Sequence, residues 1–249
     1  MTGLVQRLRG DWMTPSQYSV ARALIDRGDD VVPFEAHEML GDGPGPTALA
    51  RDTPVSGGVE CVLAALRRLG LPEPRYSPEP PPSLRPFFGR AYWTATMGAI
   101  RMTERYEPPI HVKPIRRNKL FTGAVLRRRD DLIPLVHVDA KEPVLVQEFV
   151  DFVAEHRAYV LRDERILAVC RYAGDPLRFP DPGVVREAVA AYRLEAPAAY
   201  GLDFGVTADG RTLVVEANDG YALGNYGLRP AEYLRIVEAR WAELAGGET

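Results

Sequence analysis

The sequence predicts a mixed α/β protein in which a small N-terminal α/β domain precedes a larger α+β domain. Strand and helix patterns alternate over the first 70 residues, which is typical of a small α/β unit. A proline-dense stretch at residues 72–86, PEPRYSPEPPPSLRP, cannot form regular structure and indicates a connection. A β-hairpin pattern near the C-terminus belongs to the second unit. We therefore expect domains at residues 1–86 and 87–249.

Composition argues against several classes of protein. The chain has 249 residues, of which 46% are apolar, enough for a substantial core. A net charge of −3 does not favour nucleic acid or an anionic membrane as a partner, and the short apolar runs predict no membrane span. The start, MTGLVQRLRGDW, lacks the apolar segment of a signal peptide. Because Cys61 and Cys170 form no CxxC pair and the four histidines are scattered, we expect a cytoplasmic enzyme without disulfides or a zinc site.

The first elements have clear boundaries. LVQRLR predicts a strand, and a helix follows with Thr14 as N-cap, Pro15 at its first position and Gln17 completing a capping box. Gly28 predicts its end, and DVVPFEA predicts the next strand. The apolar face of this helix is expected to contain Tyr18, Ala21, Leu24 and Ile25.

A second helix pattern begins after Ser56-Gly57-Gly58 and ends at Gly70. The glycine pair could direct backbone N–H groups toward an anion, although a helix-capping loop is the simpler interpretation. Beyond the proline-dense stretch, FFGRAYWTATMGAIRMTERY predicts an aromatic-rich loop or helix.

A basic cluster follows in PPIHVKPIRRNKLFTGAVL. IHVKP predicts a short strand that carries Lys113, and a loop with Arg116, Arg117 and Lys119 leads to Gly123 and a further strand. A strand lysine beside a basic, glycine-containing turn could hold a polyphosphate. A surface hairpin with solvated charges is the alternative interpretation.

The remaining elements form a strand-rich unit. EPVLVQEFV predicts a buried strand, and RAYVL and RILAVCRY predict an antiparallel pair around Asp163-Glu164. One helix is predicted to begin at Asp181-Pro182 and a last helix near Pro230.

The hairpin GLDFGVTADGRTLVVEAND carries the clearest chemical signal. Asp209-Gly210 is a strong hairpin turn between the strands LDFGV and TLVVEA. Side chains alternate along a strand, so Glu216 and Asn218 share one face, and cross-strand pairing can bring Asp203 to that face. Three hard oxygen ligands would suit Mg²⁺ bridging to substrate phosphates. An exposed hairpin with three solvated polar residues is the alternative.

Taken in order, these pieces resemble the nucleotide site of the ATP-grasp superfamily, and with the SGG start of the second helix and the proline-rich connector they look like one small clade of it. The resemblance covers roughly residues 90–228: VKP, NKLFTG, VLVQEFV, EHR, DFGV and VVEAND. It implies an ATP-grasp fold behind a pre-ATP-grasp-like N-terminal domain. The lid subdomain would span about residues 108–146, the hinge 147–150 and the C-terminal subdomain 151–249.

The resemblance also implies residue roles for ATP. Lys113 and Lys119 match phosphate-binding lysines, and Gly123 matches a glycine that allows the lid loop to close. The hinge residues that read adenine would be Gln147, Glu148 and Val150, and the carboxylate that binds the ribose would be Glu155.

For the metal and the transferred phosphoryl group, the resemblance implies a second set. Asp203, Glu216 and Asn218 match the ligands of one or two Mg²⁺ ions, with Glu216 bridging. Beside Lys113, the candidates for steadying the phosphoryl group are Arg157 and Arg171, with Arg101 a weaker one.

The activity implied is an ATP-dependent carboxylate–amine ligase that forms an acylphosphate, with small-molecule or peptide substrates. The loop after Asn218, DGYALGNYG, departs from the usual ligase pattern. Its polar residues either line the acceptor pocket or belong to a surface loop: Asp219, Tyr221, Asn225 and Tyr226.

Other functions stay open at the level of sequence. A small-molecule kinase on the same fold and a non-catalytic ATP-binding module are the alternatives to a ligase. The arginines at 116, 117 and 127–129 allow a nucleic-acid role, but an acidic chain without a recognisable binding motif does not favour it.

Overall fold

The computed structural model describes residues 1–8, 10, 12–116, 120–163 and 165–246, and their strands form three sheets. Parallel pairing occurs in the first sheet, while the other two are antiparallel. The fold is therefore mixed α/β, as the sequence predicts.

The first sheet has β1 (Thr2–Arg7) at its centre, between β2 (Asp30–Glu35) and β3 (Val55–Ser56). The helices of this unit are α1 (Pro15–Arg27), α2 (Ala36–Leu40) and α3 (Val59–Arg68). The predicted boundaries of α1 are confirmed: the Thr14 hydroxyl accepts from the Gln17 N–H, and Gly28 adopts a left-handed conformation at φ 82°. This parallel β-α-β arrangement is what the alternating pattern predicts.

The predicted apolar face of α1 is only half right. Ala21 and Leu24 are buried, but Tyr18 and Ile25 are 61% and 62% exposed. The buried side includes Ser16 and Ser19 because their hydroxyls hydrogen-bond Asn225 on a distant loop. Partners on another part of the chain therefore set the rotation of this helix.

The second sheet, here called the lid sheet, has the order β4 (Tyr92–Thr96), β7 (Pro143–Glu148), β5 (Ile110–Pro114) and β6 (Ala124–Leu126). A 3-10 helix at Pro82–Phe87 precedes it, α4 (Met97–Met102) follows β4, and a 3-10 helix spans Arg129–Leu135. The prediction of a loop or helix over the aromatic-rich stretch is wrong at β4, which pairs with β7 along its length. The lid sheet thus begins at Tyr92 and not near residue 108.

The third sheet, here called the C-terminal sheet, has the order β11 (Thr212–Asp219), β10 (Ala199–Thr207), β8 (Phe152–Leu161) and β9 (Arg165–Gly174). A short 3-10 helix at Gly220–Ala222 follows β11. The α5 helix (Pro182–Tyr192) covers one face of the sheet, and α6 (Pro230–Leu244) packs on the other face. Both helices begin where the sequence predicts, and Asp181 caps α5.

The α6 helix joins the N-terminal unit to the C-terminal sheet. Ile236 and Val237 share a buried cluster with Leu24 of α1 and Tyr159 of β8. Further along α6, Trp241 packs in the core of the first sheet. The proline-dense connector therefore separates two sheets along the chain, but both sides contribute to common cores.

No helix within the described ranges is both long enough and apolar enough to cross a membrane.

Candidate active site

A cavity of about 990 Å³ lies between the lid sheet and the C-terminal sheet. Lys113 lines it from β5, and Glu216 and Asn218 line it from β11. The connector at residues 74–82 forms a further wall, and the Tyr76 hydroxyl fixes the connector to the lid by donating to the Pro114 carbonyl at 3.1 Å. The predicted lysine and two of the predicted metal ligands therefore meet in one enclosed space.

Asp203, Glu216 and Asn218 converge as the hairpin pattern predicts. Asp203 of β10 lies directly opposite Glu216 of β11, and Asn218 lies opposite Gly201. The Asn218 amide donates to Asp203 Oδ2 and to Glu216 Oε1, both at 3.1 Å. Three side chains thus share one face at the open end of the hairpin.

Arg157 holds Asp203 in a buried ion pair. Its Nε and Nη2 atoms donate to the two carboxylate oxygens at 2.7 Å each, and both residues are less than 10% exposed. Arg157 lies opposite Asp203 on β8 and passes over Gly201, where a Cβ would approach its Cδ to 3.0 Å and its Nε to 3.1 Å. The aromatic rings of Tyr226 and Tyr172 lie 5.1 Å and 5.9 Å from the guanidinium carbon. The arginine therefore has a fixed position.

The charges around Asp203 oppose one another. Burial raises the pKa of Asp203 to about 6, the Arg157 guanidinium opposes this shift, and the carboxylates of Glu216 and Glu155 reinforce it. Asp203 is thus an acid with a raised pKa inside a cluster of like charges. Such clusters are more frequent at functional sites than elsewhere.

Lys113 spans the cavity from the lid sheet. Its Nζ lies 3.5 Å from Glu216 Oε2, and the lysine side chain is 15% exposed. Burial alone would raise the pKa of Glu216, but the charge of Lys113, the Asn218 amide and Arg157 together lower it. The ionised form of Glu216 is therefore favoured, as a metal ligand requires.

The donor set suits a hard cation. It consists of two carboxylates and an amide oxygen, the ligand types that Mg²⁺ accepts when it keeps waters or binds substrate phosphates. Within the part of the chain that the structure describes, no group of three or more His, Cys, Asp or Glu side chains could hold a metal. Since both Asp203 oxygens already accept hydrogen bonds from Arg157, Glu216 and Asn218 are the freer ligands.

The hinge residues lie at the end of β7, where the chain crosses to β8. The Gln147 side chain is buried and accepts from Arg90 Nε at 3.1 Å. The exposed Glu148 accepts from the Ala91 N–H at 2.9 Å, and Val150 is partly buried. Both polar side chains of the hinge thus bind protein groups, and contact with adenine stays a prediction for this segment.

Glu155 and Gly123 lie near the cavity in different ways. Glu155 lies two positions from Arg157 on β8, so it shares the Arg157 face, and it accepts from the Tyr172 hydroxyl at 2.9 Å. Gly123 lies against His111, where a Cβ would approach the ring Nε2 to 2.6 Å. Close packing explains this glycine. The predicted phosphate ligand Lys119 and its neighbour Arg117 lie outside the described residues.

Arg171 is not part of this site. It lies opposite His156, which is the strand neighbour of Arg157 and therefore points to the other face of the sheet. Its guanidinium is exposed and donates to the Gly174 carbonyl at 2.8 Å. Sequence order alone cannot reveal this, because a bulge between Glu155 and His156 shifts the register of β9.

Arg101 is also engaged elsewhere. Its guanidinium donates to the carbonyls of Leu135 and Val138 at 2.7 Å and 2.6 Å, which anchors α4 to the 3-10 helix of the lid. It therefore stabilises the lid and does not reach the phosphoryl site.

Arg90 is a site residue that the sequence patterns do not identify. Its guanidinium donates to the carbonyls of Val214 and Val215 on β11 at 2.9 Å and 2.8 Å, and to Gln147 on β7. Burial lowers its pKa to about 10, so it stays charged at neutral pH. Arg90 thus ties the lid sheet to the C-terminal sheet. The available signal is a lone arginine in the apolar, aromatic stretch FFGRAYW.

The loop after Asn218 has two parts. Asp219 and Tyr221 line the cavity, and Asp219 accepts from Arg240 of α6 at 2.6 Å and 2.7 Å. Tyr226 stacks over Arg157, whereas Asn225 binds Ser19 and the Leu228 backbone. The acceptor-pocket interpretation therefore suits the first part, and Asn225 has a structural role.

Comparison with known proteins gives the same picture of the fold. A family model for the ATP-grasp domain, describing the second family of one clade of that superfamily, matches residues 87–236. No curated protein matches the sequence. The structure of the ADP complex of purK, an N5-carboxyaminoimidazole ribonucleotide synthetase, has a TM-score of 0.62 at 13% identity, covering 95% of this chain and 76% of that one.

Two further structures align along almost the whole chain. The macrocyclase MdnC from Microcystis aeruginosa MRC, bound to its precursor peptide MdnA, has a TM-score of 0.54 at 14% identity and covers 99% of this chain and 100% of that one. The ATP-grasp ligase PsnB, in complex with a precursor variant, Mg and ADP, has a TM-score of 0.52 at 18% identity and covers 94% and 96%. At these identities the likeness establishes the fold.

Proposed function

This chain belongs to the ATP-grasp domain family whose model matches it over residues 87–236, and from that premise we propose that it is an ATP- and Mg²⁺-dependent ligase. In this proposal it joins a carboxylate to an amine through an acylphosphate. The carboxylate and the amine belong to small molecules or peptides. The structure of PsnB with Mg and ADP supports the choice of nucleotide and metal.

One observation carries the proposal: Lys113 of the lid sheet faces Glu216 and Asn218 of the C-terminal sheet across a cavity of about 990 Å³. A cation on one wall and oxygen ligands on the other are what a nucleotide polyphosphate with its metal requires. The cavity also continues toward Asp219 and the connector, which leaves space for a second substrate.

Each residue has a distinct proposed role. Lys113 would exchange its contact with Glu216 for phosphate oxygens, which frees the carboxylate. Glu216 and Asn218, with Asp203 beside them, would hold Mg²⁺, which neutralises charge on the β- and γ-phosphate oxygens. Arg157, already fixed by Asp203, would keep a positive charge next to the transferred group. A substrate carboxylate supplies the nucleophile, so the mechanism needs no protein nucleophile.

The first test is release of ADP and phosphate from Mg-ATP in the presence of pooled carboxylates and amines. We expect turnover only when both substrate classes are present. Lys113→Gln should reduce turnover by roughly 10²–10³-fold, the typical loss for a positioned charge. Lys141→Gln is the matched control, because Lys141 is an exposed lysine of the same lid region. Equal activity of the two variants would contradict the proposal.

The same assay separates the alternatives. A small-molecule kinase would form ADP with an alcohol alone and leave the phosphate on that acceptor. A non-catalytic ATP-binding module would show no turnover, and Glu216→Gln would then leave every activity of the intact system unchanged. Glu187→Gln, at an exposed position on α5, is the control for that substitution.

A further inference from the structure

A second cavity, of about 410 Å³, lies on the opposite side of the C-terminal sheet from the candidate active site. It opens between β9 and the start of α5, and its lining is mainly apolar: Ile166, Val169, Phe179, Pro180, Pro182 and Val185. Binding sites for small organic molecules typically have this volume range and combine apolar walls with a few polar groups. The polar groups here are His156 and Arg186.

His156 is the unusual member of this lining. It is 2% exposed, and neither ring nitrogen has a hydrogen-bond partner among the described residues. A buried polar group without a partner costs roughly 1–3 kcal/mol, so natural structures rarely retain one without a reason. His156 and Arg157 are consecutive on β8 and point to opposite faces, which separates this histidine from the ATP site.

The charges around the cavity favour an anion. Arg186 at its edge is exposed and makes no ion pair or hydrogen bond within the described ranges. Arg171 lies directly opposite His156 on β9. Burial, and then the charge of Arg171, lower the pKa of His156, so the neutral ring offers one N–H donor and one bare nitrogen. No carboxylate of the described residues lines this cavity.

We propose that this cavity binds a small carboxylate with an apolar body, whose carboxylate pairs with His156 and Arg186 while its body fills the apolar part. The site is independent of the proposed ligase reaction, because it lies behind the sheet and its lining includes none of the candidate ATP or metal ligands that the structure describes. A charge-assisted hydrogen bond in a partly desolvated pocket is among the stronger polar contacts available.

Phenylacetate is a suitable probe, with phenylacetamide as its uncharged counterpart. We expect the His156 imidazole resonances to shift and saturate with millimolar phenylacetate, and phenylacetamide to bind at least about tenfold more weakly because it lacks the charge. Arg186→Gln should weaken phenylacetate binding by about tenfold. The matched control is Arg178→Gln, which removes an exposed arginine from the neighbouring loop but not from the lining.

A second variant keeps the test decisive. His156→Phe retains a planar ring of similar shape, and we expect it to fold and to lose saturable binding. Three results would overturn the proposal: no saturable shift up to about 20 mM phenylacetate, equal binding of phenylacetamide, or equal affinity in Arg186→Gln and Arg178→Gln. If His156→Phe does not fold, the comparison of the two exposed arginine variants still decides the question.

Discussion

Arg157 and Asp203 show how one residue pair connects stability to function. Both are buried and joined by two hydrogen bonds at 2.7 Å. We expect Arg157→Met to cost about 3–5 kcal/mol in the free energy of unfolding, because it leaves a buried carboxylate without its partner. Adding Asp203→Asn should recover part of that loss, and urea unfolding of the single and double variants measures both effects.

The exposed ion pair of Arg165 and Asp163 provides the control for this experiment. Its side chains are 55% and 54% exposed, so Arg165→Met should change the unfolding free energy very little. If the double variant at positions 157 and 203 were less stable than Arg157→Met, the interpretation of Asp203 as an uncompensated charge would be wrong.

His111 should make stability depend on pH. Burial, followed by the nearby Lys113 charge, lowers its pKa from 6.5 to about 4. As pH falls from 6.5 toward 4, the unfolded chain takes up a proton that the folded chain does not, so stability decreases by on the order of 3 kcal/mol. Above pH 6.5 (the unfolded value), this contribution is fully present. Urea unfolding across this range measures it.

Substitutions isolate the His111 contribution. His111→Gln should remove this part of the pH dependence, while His37→Gln, at a side chain that is 77% exposed, should retain it. An unchanged pH profile in His111→Gln would show that another group is responsible.

At the residue scale, period-2 alternation was sufficient to bring Asp203, Glu216 and Asn218 together. It could not assign Arg157 to Asp203 or separate Arg171 from the site. Those outcomes depend on which strands are neighbours and on a bulge in the β8–β9 pairing. Sequence order contains neither piece of information.

At the scale of elements, the hairpin β10–β11 was predictable because its turn and both strands are local in sequence. The β4 strand was not, because its pairing partner β7 lies about 50 residues later and decides its conformation. Arg90 was missed for the same reason: its acceptors are on β7 and β11.

Arg90 is the element-scale test of how the two sheets are joined. Arg90→Gln removes charged hydrogen bonds to the β11 backbone, each typically worth about 1.5–3 kcal/mol. We expect both sheets to stay folded while ATP binds more weakly, because the walls of the cavity lose their fixed spacing. Hydrogen exchange should accelerate at the ends of β7 and β11, and calorimetry measures ATP affinity.

Arg85→Gln is the control for Arg90→Gln, since Arg85 lines the same cavity but its guanidinium lies over the Tyr92 ring of the lid sheet. Unchanged exchange at β7 and β11 in Arg90→Gln would show that Arg90 does not hold the sheets together.

At the scale of the whole molecule, the sequence suggests two domains separated at residue 86, and the proline-dense connector does separate the sheets. The packing around α6 adds what composition could not show. Leu4 and Phe34 of the first sheet share a core with Trp241, while Leu24 of α1 packs with Ile236. A helix that is apolar on several sides reveals only that it is buried, without specifying its partners.

This shared core predicts that residues 87–249 do not fold alone. Removing residues 1–86 would expose Ile236, Val237 and Trp241, and would leave the Trp241 indole without its acceptor, the Arg51 carbonyl at 2.9 Å. We expect the 87–249 fragment to lack cooperative urea unfolding and dispersed amide resonances, and addition of the 1–86 fragment to restore both in part. If the 87–249 fragment unfolded with the same midpoint as the full chain, α6 would need no N-terminal partner. Such a result would make the cores around α6 separable and the N-terminal unit an independent domain.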